Sequence, residues 1–134
     1  MTTLSLHVSA IYAGILGLLA AALTVRVILN RVKSGITAGD GGNPQLAQAI
    51  RAHANFTEQA PLALLLLMLA EGLGTPTSLL NGLGSVLVVA RVATAWGWSR
   101  SLGSTMPRQA GAGLTVLVVA ATSLTILYRV LGMN

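Results

Sequence analysis

Arg51, Asn55 and Glu58 are spaced i, i+4 and i+7, just ahead of an uncharged run from Gln59 to Ala70. At about 100° per residue, these positions fall on one helical stripe, so a cation, an amide and an anion share a face. Gln48 extends the stripe back by one turn. Ionisable groups at the entry to an apolar run cost free energy and mark a functional site by default. Arg51 and Asn55, and Asn55 and Glu58, are close enough for their side chains to meet. Arg51 and Glu58 are two turns apart, roughly 10 Å, which argues against a direct ion pair within the helix. Glu58 then requires a partner from elsewhere, with Arg26, Arg31, Arg91 and Arg108 as candidates. An ion network that only fixes helix register is the alternative reading, and it accounts for Glu58. It does not account for the excess of arginines, because surplus buried positive charge predicts an anionic ligand.

The remaining polar residues divide into weaker candidates. His53 lies about 200° around the helix from Arg51 and faces away from the stripe, as a packing or loop-bonding histidine. His7 reads as interfacial, and Asp40 as a solvated or capping loop residue. Lys33 reads as a topology determinant snorkelling to the membrane surface. Arg26 lies one and a half turns deeper than Arg31 and is less easily dismissed. Trp96 and Trp98, close to Arg100, read as an aromatic belt at the membrane interface. The chain has no cysteine, which excludes a disulfide, a thiolate metal site and a cysteine nucleophile. Any reactive thiol must arrive with a substrate, and no metal site is expected.

These residues must be positioned by membrane-spanning helices. Hydrophobic residues make up 54% of the 134-residue chain and charged residues only 8%, against about 25% charged in soluble domains. Residues 8–25, 72–90 and 109–128 carry no charge, and a helical span takes roughly 20 residues. Residues 59–70 are about half a span, completed if Arg51 to Glu58 continues the same helix on a protein-facing surface. The expectation is an all-α membrane protein, one four-helix transmembrane domain with helices near 5–32, 44–73, 77–99 and 107–131. Asn43 and Pro44 are suited to N-cap and N1 of the second helix, and Thr75-Pro76 repeats that start for the third. Pro61 is expected to kink the second helix. Gly82, Gly84, Gly111 and Gly113 allow close helix packing.

The formal net charge of +5 is unevenly distributed. Arg26, Arg31, Lys33 and Arg51 surround the first connection, and Arg91, Arg100 and Arg108 the third, while the second has no Lys or Arg. The positive-inside rule puts the first and third connections in the cytoplasm and both termini on the other side, with Arg129 dissenting. Because the cations flank spans, nucleic acid is not an expected partner. The N-terminal run has no basic leader and extends too far for a signal peptide, so no cleavage is expected.

The segment Arg51-Ala-His-Ala-Asn-Phe-Thr-Glu-Gln-Ala-Pro61 resembles the MAPEG family, membrane-associated proteins in eicosanoid and glutathione metabolism. Val27-Ile-Leu-Asn-Arg31 is similar to the family's Val-x-x-x-Arg at the end of helix 1, and Gly39-Asp-Gly-Gly-Asn-Pro44 to bacterial members. The resemblance implies a homotrimer in the bacterial inner membrane, with glutathione as co-substrate between subunits near the cytoplasmic side. It implies that Arg51, Asn55 and Glu58 contact the tripeptide, that Arg31 reaches one of its carboxylates, and that Arg91 is the helix 3 arginine. Arg108 is the match for the arginine that activates the thiol in some members. A guanidinium there would stabilise the thiolate, which is the true nucleophile. An apolar second substrate would enter from the lipid.

The chain departs from the family pattern at several positions. Thr94 and Trp98 stand near where several members carry tyrosines, and no tyrosine or serine adjoins Arg108. Ala54 replaces a second arginine found in some eicosanoid-producing members. These departures count against a specific prostaglandin or leukotriene synthase. The expected activity is therefore a membrane glutathione transferase or peroxidase acting on small apolar electrophiles. Two alternatives remain, a non-catalytic protein of this fold binding an anionic thiol or lipid, and a small multidrug-type transporter. Guanidinium groups around the one carboxylate argue against cation transport.

Overall fold

The computed structural model describes residues 5–132; most of the cation-free N-terminal tail lies outside them. Four helices follow in order: α1 His7–Ser34, α2 Pro44–Gly72, α3 Thr77–Arg100 and α4 Met106–Val130. At about 1.5 Å per residue they are roughly 36 to 44 Å long, enough to cross a hydrocarbon core of about 30 Å. By length and composition, α1, α3 and α4 are apolar enough to span a membrane. α2 falls short of that measure because its first half carries Arg51, Asn55, Glu58 and Gln59. It packs against all three other helices through its apolar stripe, while Glu58 and Gln59 stay exposed.

α2 and α3 form the centre of the bundle, each touching the other three helices, while α1 and α4 do not touch one another. The buried positions of α2 (Leu46, Ala49, Ala52, Phe56, Ala60, Ala63, Leu67, Ala70) recur every three or four residues and are mostly alanine. Small residues on that stripe let neighbouring helices approach closely, as packing in lipid requires. Of the four glycines expected to allow close packing, Gly84 and Gly111 are the ones that require it. A Cβ on Gly84 would overlap the Tyr12 ring, and one on Gly111 would overlap Thr94 and the Ala90 carbonyl. Gly82 and Gly113 meet nothing nearby, so only one member of each expected pair is used.

Helix ends show where backbone donors go. Asn43 caps α2 through Leu46 N–H at 3.1 Å, with Pro44 following it, as its sequence pattern predicts. Thr75 does not repeat this role. Its side chain makes no cap bond, and Pro76 itself occupies the N-cap of α3. The start of α1 has no local cap, and Glu71 of α2 supplies one from a distance. Its carboxylate accepts Val8 N–H at 2.9 Å, Ser9 N–H at 2.7 Å and Ser9 Oγ–H at 2.5 Å. Two free N–H groups at a positive helix end meeting a carboxylate is the arrangement that dipole and capping arguments favour. α2 continues through Pro61 to Gly72.

Candidate functional site

The site forms where α2, α3 and α4 converge at the end of the bundle carrying the first and third connections. Because α2 turns its alanine stripe inward, the flank bearing Arg51, Asn55 and Glu58 is left partly open. Arg51 Nη1 lies 3.9 Å from Glu58 Oε1, with the two side chains 44% and 54% exposed. This corrects the expectation that two turns separate them too far to pair. Helical Cα–Cβ bonds tilt toward the N-terminus, so Glu58 leans back toward Arg51, and the long arginine covers the remaining distance. Among the described residues it is the one salt bridge. Arg26, Arg31, Arg91 and Arg108 do not serve as the partner of Glu58. A half-exposed, single-point pair is worth at most about 1 kcal/mol, so a ligand carboxylate can exchange for it.

Arg91 is buried at the centre of α3. Its Nη2 donates to Asn55 Oδ1 at 2.6 Å and to the Asn55 carbonyl at 3.4 Å, and its Nη1 donates to Thr115 Oγ1 at 3.3 Å. Arginine has donors only, so it must face the amide oxygen of Asn55. The amide Nδ2 of Asn55 is thereby turned away from Arg91 and free to donate outward. Arg91 thus acts on the open flank through Asn55.

α4 contributes Arg108. Its guanidinium carbon lies 4.1 Å from the centroid of Trp98, and that of Arg51 lies 5.0 Å from the same ring. One indole therefore gathers cations from α2 and α4, an attraction of its electron-rich face for guanidinium. Arg108 Nη1 also donates to the Leu102 carbonyl at 3.2 Å. Gly97, one residue before Trp98, makes this approach possible, since a Cβ there would lie 2.9 Å from the Arg108 backbone nitrogen. Trp98 is not the belt residue its neighbourhood suggests; Trp96, half-exposed and stacked by Arg100 at 4.6 Å, fits that description. The signal for Trp98 was its spacing. It follows Arg91 by seven residues, on the same stripe of α3.

The structure therefore brings together Arg51, Asn55, Glu58, Arg91 and Arg108, and adds Trp98. Three guanidinium groups against one carboxylate leave a surplus of two positive charges. Arg31 is engaged elsewhere, its Nη1 donating to the carbonyls of Ile36 at 3.2 Å and Gly39 at 3.0 Å, where it pins the loop between α1 and α2. Arg26 turns to α3 and donates to Ser99 Oγ. Chemically, the group can bind a carboxylate at Arg51 and Asn55, hold an ammonium at Glu58, and stabilise an anion beside Arg108.

The MAPEG family profile matches residues 9–128. The chain belongs to the MAPEG family. Its curated relatives include "Inner membrane protein YecN" of Escherichia coli K12, which is 34% identical over 95 residues, or 71% of this chain and 72% of that protein. The YecN of an O6:H1 strain of Escherichia coli matches to the same extent. This MAPEG chain is an all-α integral membrane protein, and every residue of its polar cluster lies within the matched segment.

Proposed function

We propose that this MAPEG protein binds glutathione at the Arg51–Asn55–Glu58–Arg108 group and uses it against small apolar electrophiles. The observation that carries this reading is the pairing of Arg51 and Arg108 on Trp98, with positive charge in excess of Glu58 and no second carboxylate paired with it among the described residues. Glutathione has two carboxylates, one ammonium and a thiol. Arg51 and the Nδ2 of Asn55 hold a carboxylate, and Glu58 takes the ammonium once Arg51 is engaged by the ligand. Arg108 stands beside the sulfur. A free thiol has a pKa near 8.5, and each unit of lowering takes about 1.4 kcal/mol of preferential thiolate stabilisation. The thiol proton passes to water. The thiolate then attacks the electrophilic carbon, a C–S bond forms, and a leaving group such as chloride departs with its electron pair.

The open flank of α2 is completed by other copies of the chain in a homotrimer. There Arg31, whose Nη2 and Nε are uncommitted, reaches a ligand carboxylate across the interface. The cations of the first and third connections face the cytoplasm, and the protein resides in the inner membrane, as the name of its Escherichia coli relative says of that protein.

Glutathione-dependent turnover of a chlorinated dinitrobenzene, abolished in Arg108→Ala with glutathione binding retained, is the expected result. Unchanged glutathione affinity in Arg51→Ala removes the site. A non-catalytic binder is the second reading, favoured by the bond from Arg108 to the Leu102 carbonyl, which occupies part of the guanidinium. Thermal stabilisation by glutathione without turnover identifies it. Transport of cations is disfavoured by the pairing of Glu58 with Arg51.

A further inference from the structure

A second polar feature lies outside this group. Where α1 ends and α2 begins, a cleft of about 470 Å³ is lined by Arg26, Asn30, Lys33 and Ser34 of α1 and by Asn43 and Gln45 at the head of α2. The α1 residues run i, i+4, i+7 and i+8, one stripe of that helix. No carboxylate lines the cleft, and it shares no residue with the Arg51–Trp98–Arg108 group.

Asn30 and Ser34 spend their donors within α1, on the Arg26 carbonyl at 2.8 Å and the Arg31 carbonyl at 3.3 Å, which leaves Lys33, Asn43 and Gln45 as the donors for a ligand. Lys33 is exposed and forms no ion pair among the described residues. Asn43 uses its Oδ1 for the Leu46 N–H, and its Nδ2 has no acceptor among the described residues. The first turn of α2 adds the positive end of a helix dipole, where the Gln45 N–H has no intrahelical acceptor. Arg26 sits lower, anchored on Ser99.

Depth selects the class of anion. At 28 residues α1 is about 42 Å long, the thickness of a bilayer with its headgroups. Lys33 and Ser34, in its last turn, therefore lie at the level of lipid phosphates. Next to the polar stripe, the same helix exposes Val25, Leu29 and Val32, an apolar flank on which acyl chains can rest. A soluble anion would make no use of that flank. Basic pockets between helices at the cytoplasmic surface are suited to acidic headgroups.

We propose that this cleft is a binding site for an anionic membrane phospholipid, with the headgroup phosphate held by Lys33 and the amides of Asn43 and Gln45. Arg26 stands beneath it. The site is independent of glutathione binding and survives if that reading fails.

The test uses the full chain, delipidated in detergent, titrated with phosphatidylglycerol or phosphatidylcholine and followed by native mass spectrometry. Phosphatidylglycerol is expected to be retained over phosphatidylcholine. Lys33→Gln is expected to weaken it roughly fivefold, the equivalent of about 1 kcal/mol for one cation near a membrane surface, and Lys33→Arg to restore it. Lys33 is exposed, so a thermal unfolding midpoint equal to that of the unaltered protein confirms that Lys33→Gln folds. Equal retention of both lipids, or of phosphatidylglycerol by the unaltered protein and Lys33→Gln, overturns the proposal. Displacement of phosphatidylglycerol by inorganic phosphate, or by glutathione, also overturns it, because either result assigns the cleft to a soluble anion.

Discussion

Replacing Arg91 with methionine should separate binding from stability, because the two depend on different consequences of its burial. The guanidinium donates to Asn55 at 2.6 and 3.4 Å and to Thr115 at 3.3 Å, with its Nε unpartnered and no salt bridge among the described residues. Hydrogen bonds from a charged donor contribute about 1.5–3 kcal/mol each when well formed, and only the first is short. Burying an uncompensated cation costs several kcal/mol. The two effects nearly cancel, and methionine refills the space with a flexible apolar chain. Arg91→Met is therefore expected to change stability by no more than about 1 kcal/mol, against about 2–5 kcal/mol for truncating a large buried side chain. Affinity behaves differently. Without Arg91 the Asn55 amide is no longer oriented, and one bond to a ligand carboxylate is lost, about 1.4 kcal/mol or tenfold in Kd. Calorimetric titration with glutathione should show that loss in Arg91→Met and again in Asn55→Ala. The double variant should be no weaker than either, since both remove the same amide contact. Additive losses, or Arg91→Met binding within twofold of the unaltered protein, would refute the assignment of Arg91 as a positioning residue.

Three further perturbations bear on the same structure. Trp98→Leu removes the ring shared by Arg51 and Arg108, each contact worth about 0.5–1 kcal/mol, so glutathione affinity measured by calorimetry should fall by about 1–2 kcal/mol, and Trp98→Phe should recover part of it. Gly97→Ala places a Cβ against the backbone of Arg108; it should cost about 1–3 kcal/mol by overpacking and lower kcat for the chlorinated dinitrobenzene more than glutathione affinity, because Arg51 and Asn55 stay in place. Glu71→Ala deprives α1 of its distant cap, and thermal unfolding should register a loss of about 2 kcal/mol, with hydrogen exchange accelerated at Val8 and Ser9 and left unchanged near Trp98.

Periodic and compositional signals carried most of the fold. Charge-free runs and the Asn43–Pro44 start place helices within about two residues of their observed ends, because a membrane allows a long apolar segment little choice but to be helical. The stripe of Arg51, Asn55 and Glu58 was equally legible, since it depends on a fixed rotation per residue. Side-chain contacts were less so, within one helix as well as between helices. Rise per residue sets the spacing of backbones but not the reach of side chains, which is why the Arg51–Glu58 contact was missed. Trp98 was misplaced because an aromatic beside a basic residue at a helix end has the same local pattern whether it meets lipid or another helix. The Glu71 cap had a signal in retrospect. α1 starts without a Ser, Thr, Asp or Asn at its N-cap, where Leu6 stands, so its first N–H groups required an acceptor from another segment.

The two ends of the bundle handle their charges in opposite ways, and that contrast argues for where chemistry occurs. At the end bearing the second connection, Glu71 is satisfied by three donors from α1, and Arg129 donates to the Leu73 carbonyl at 3.3 Å. Tyr12 closes that end with bonds of 3.0 Å to Asn81 and to Ser85. Such an end is locked. At the other end Arg51 has a single long contact to Glu58, Lys33 has no counter-ion among the described residues, and Arg108 relies on an indole and one carbonyl. Solvent screening alone would tolerate this on a soluble protein, but here the cations sit where helices enter lipid, and charge without a partner is costly there. One glutamate satisfies the free N–H groups at the start of α1, yet among the described residues no second carboxylate is paired with Arg108. That the bundle instead fixes Asn55 from beneath with Arg91 and gathers Arg51 and Arg108 on Trp98 is the arrangement expected when negative charge is delivered by a ligand.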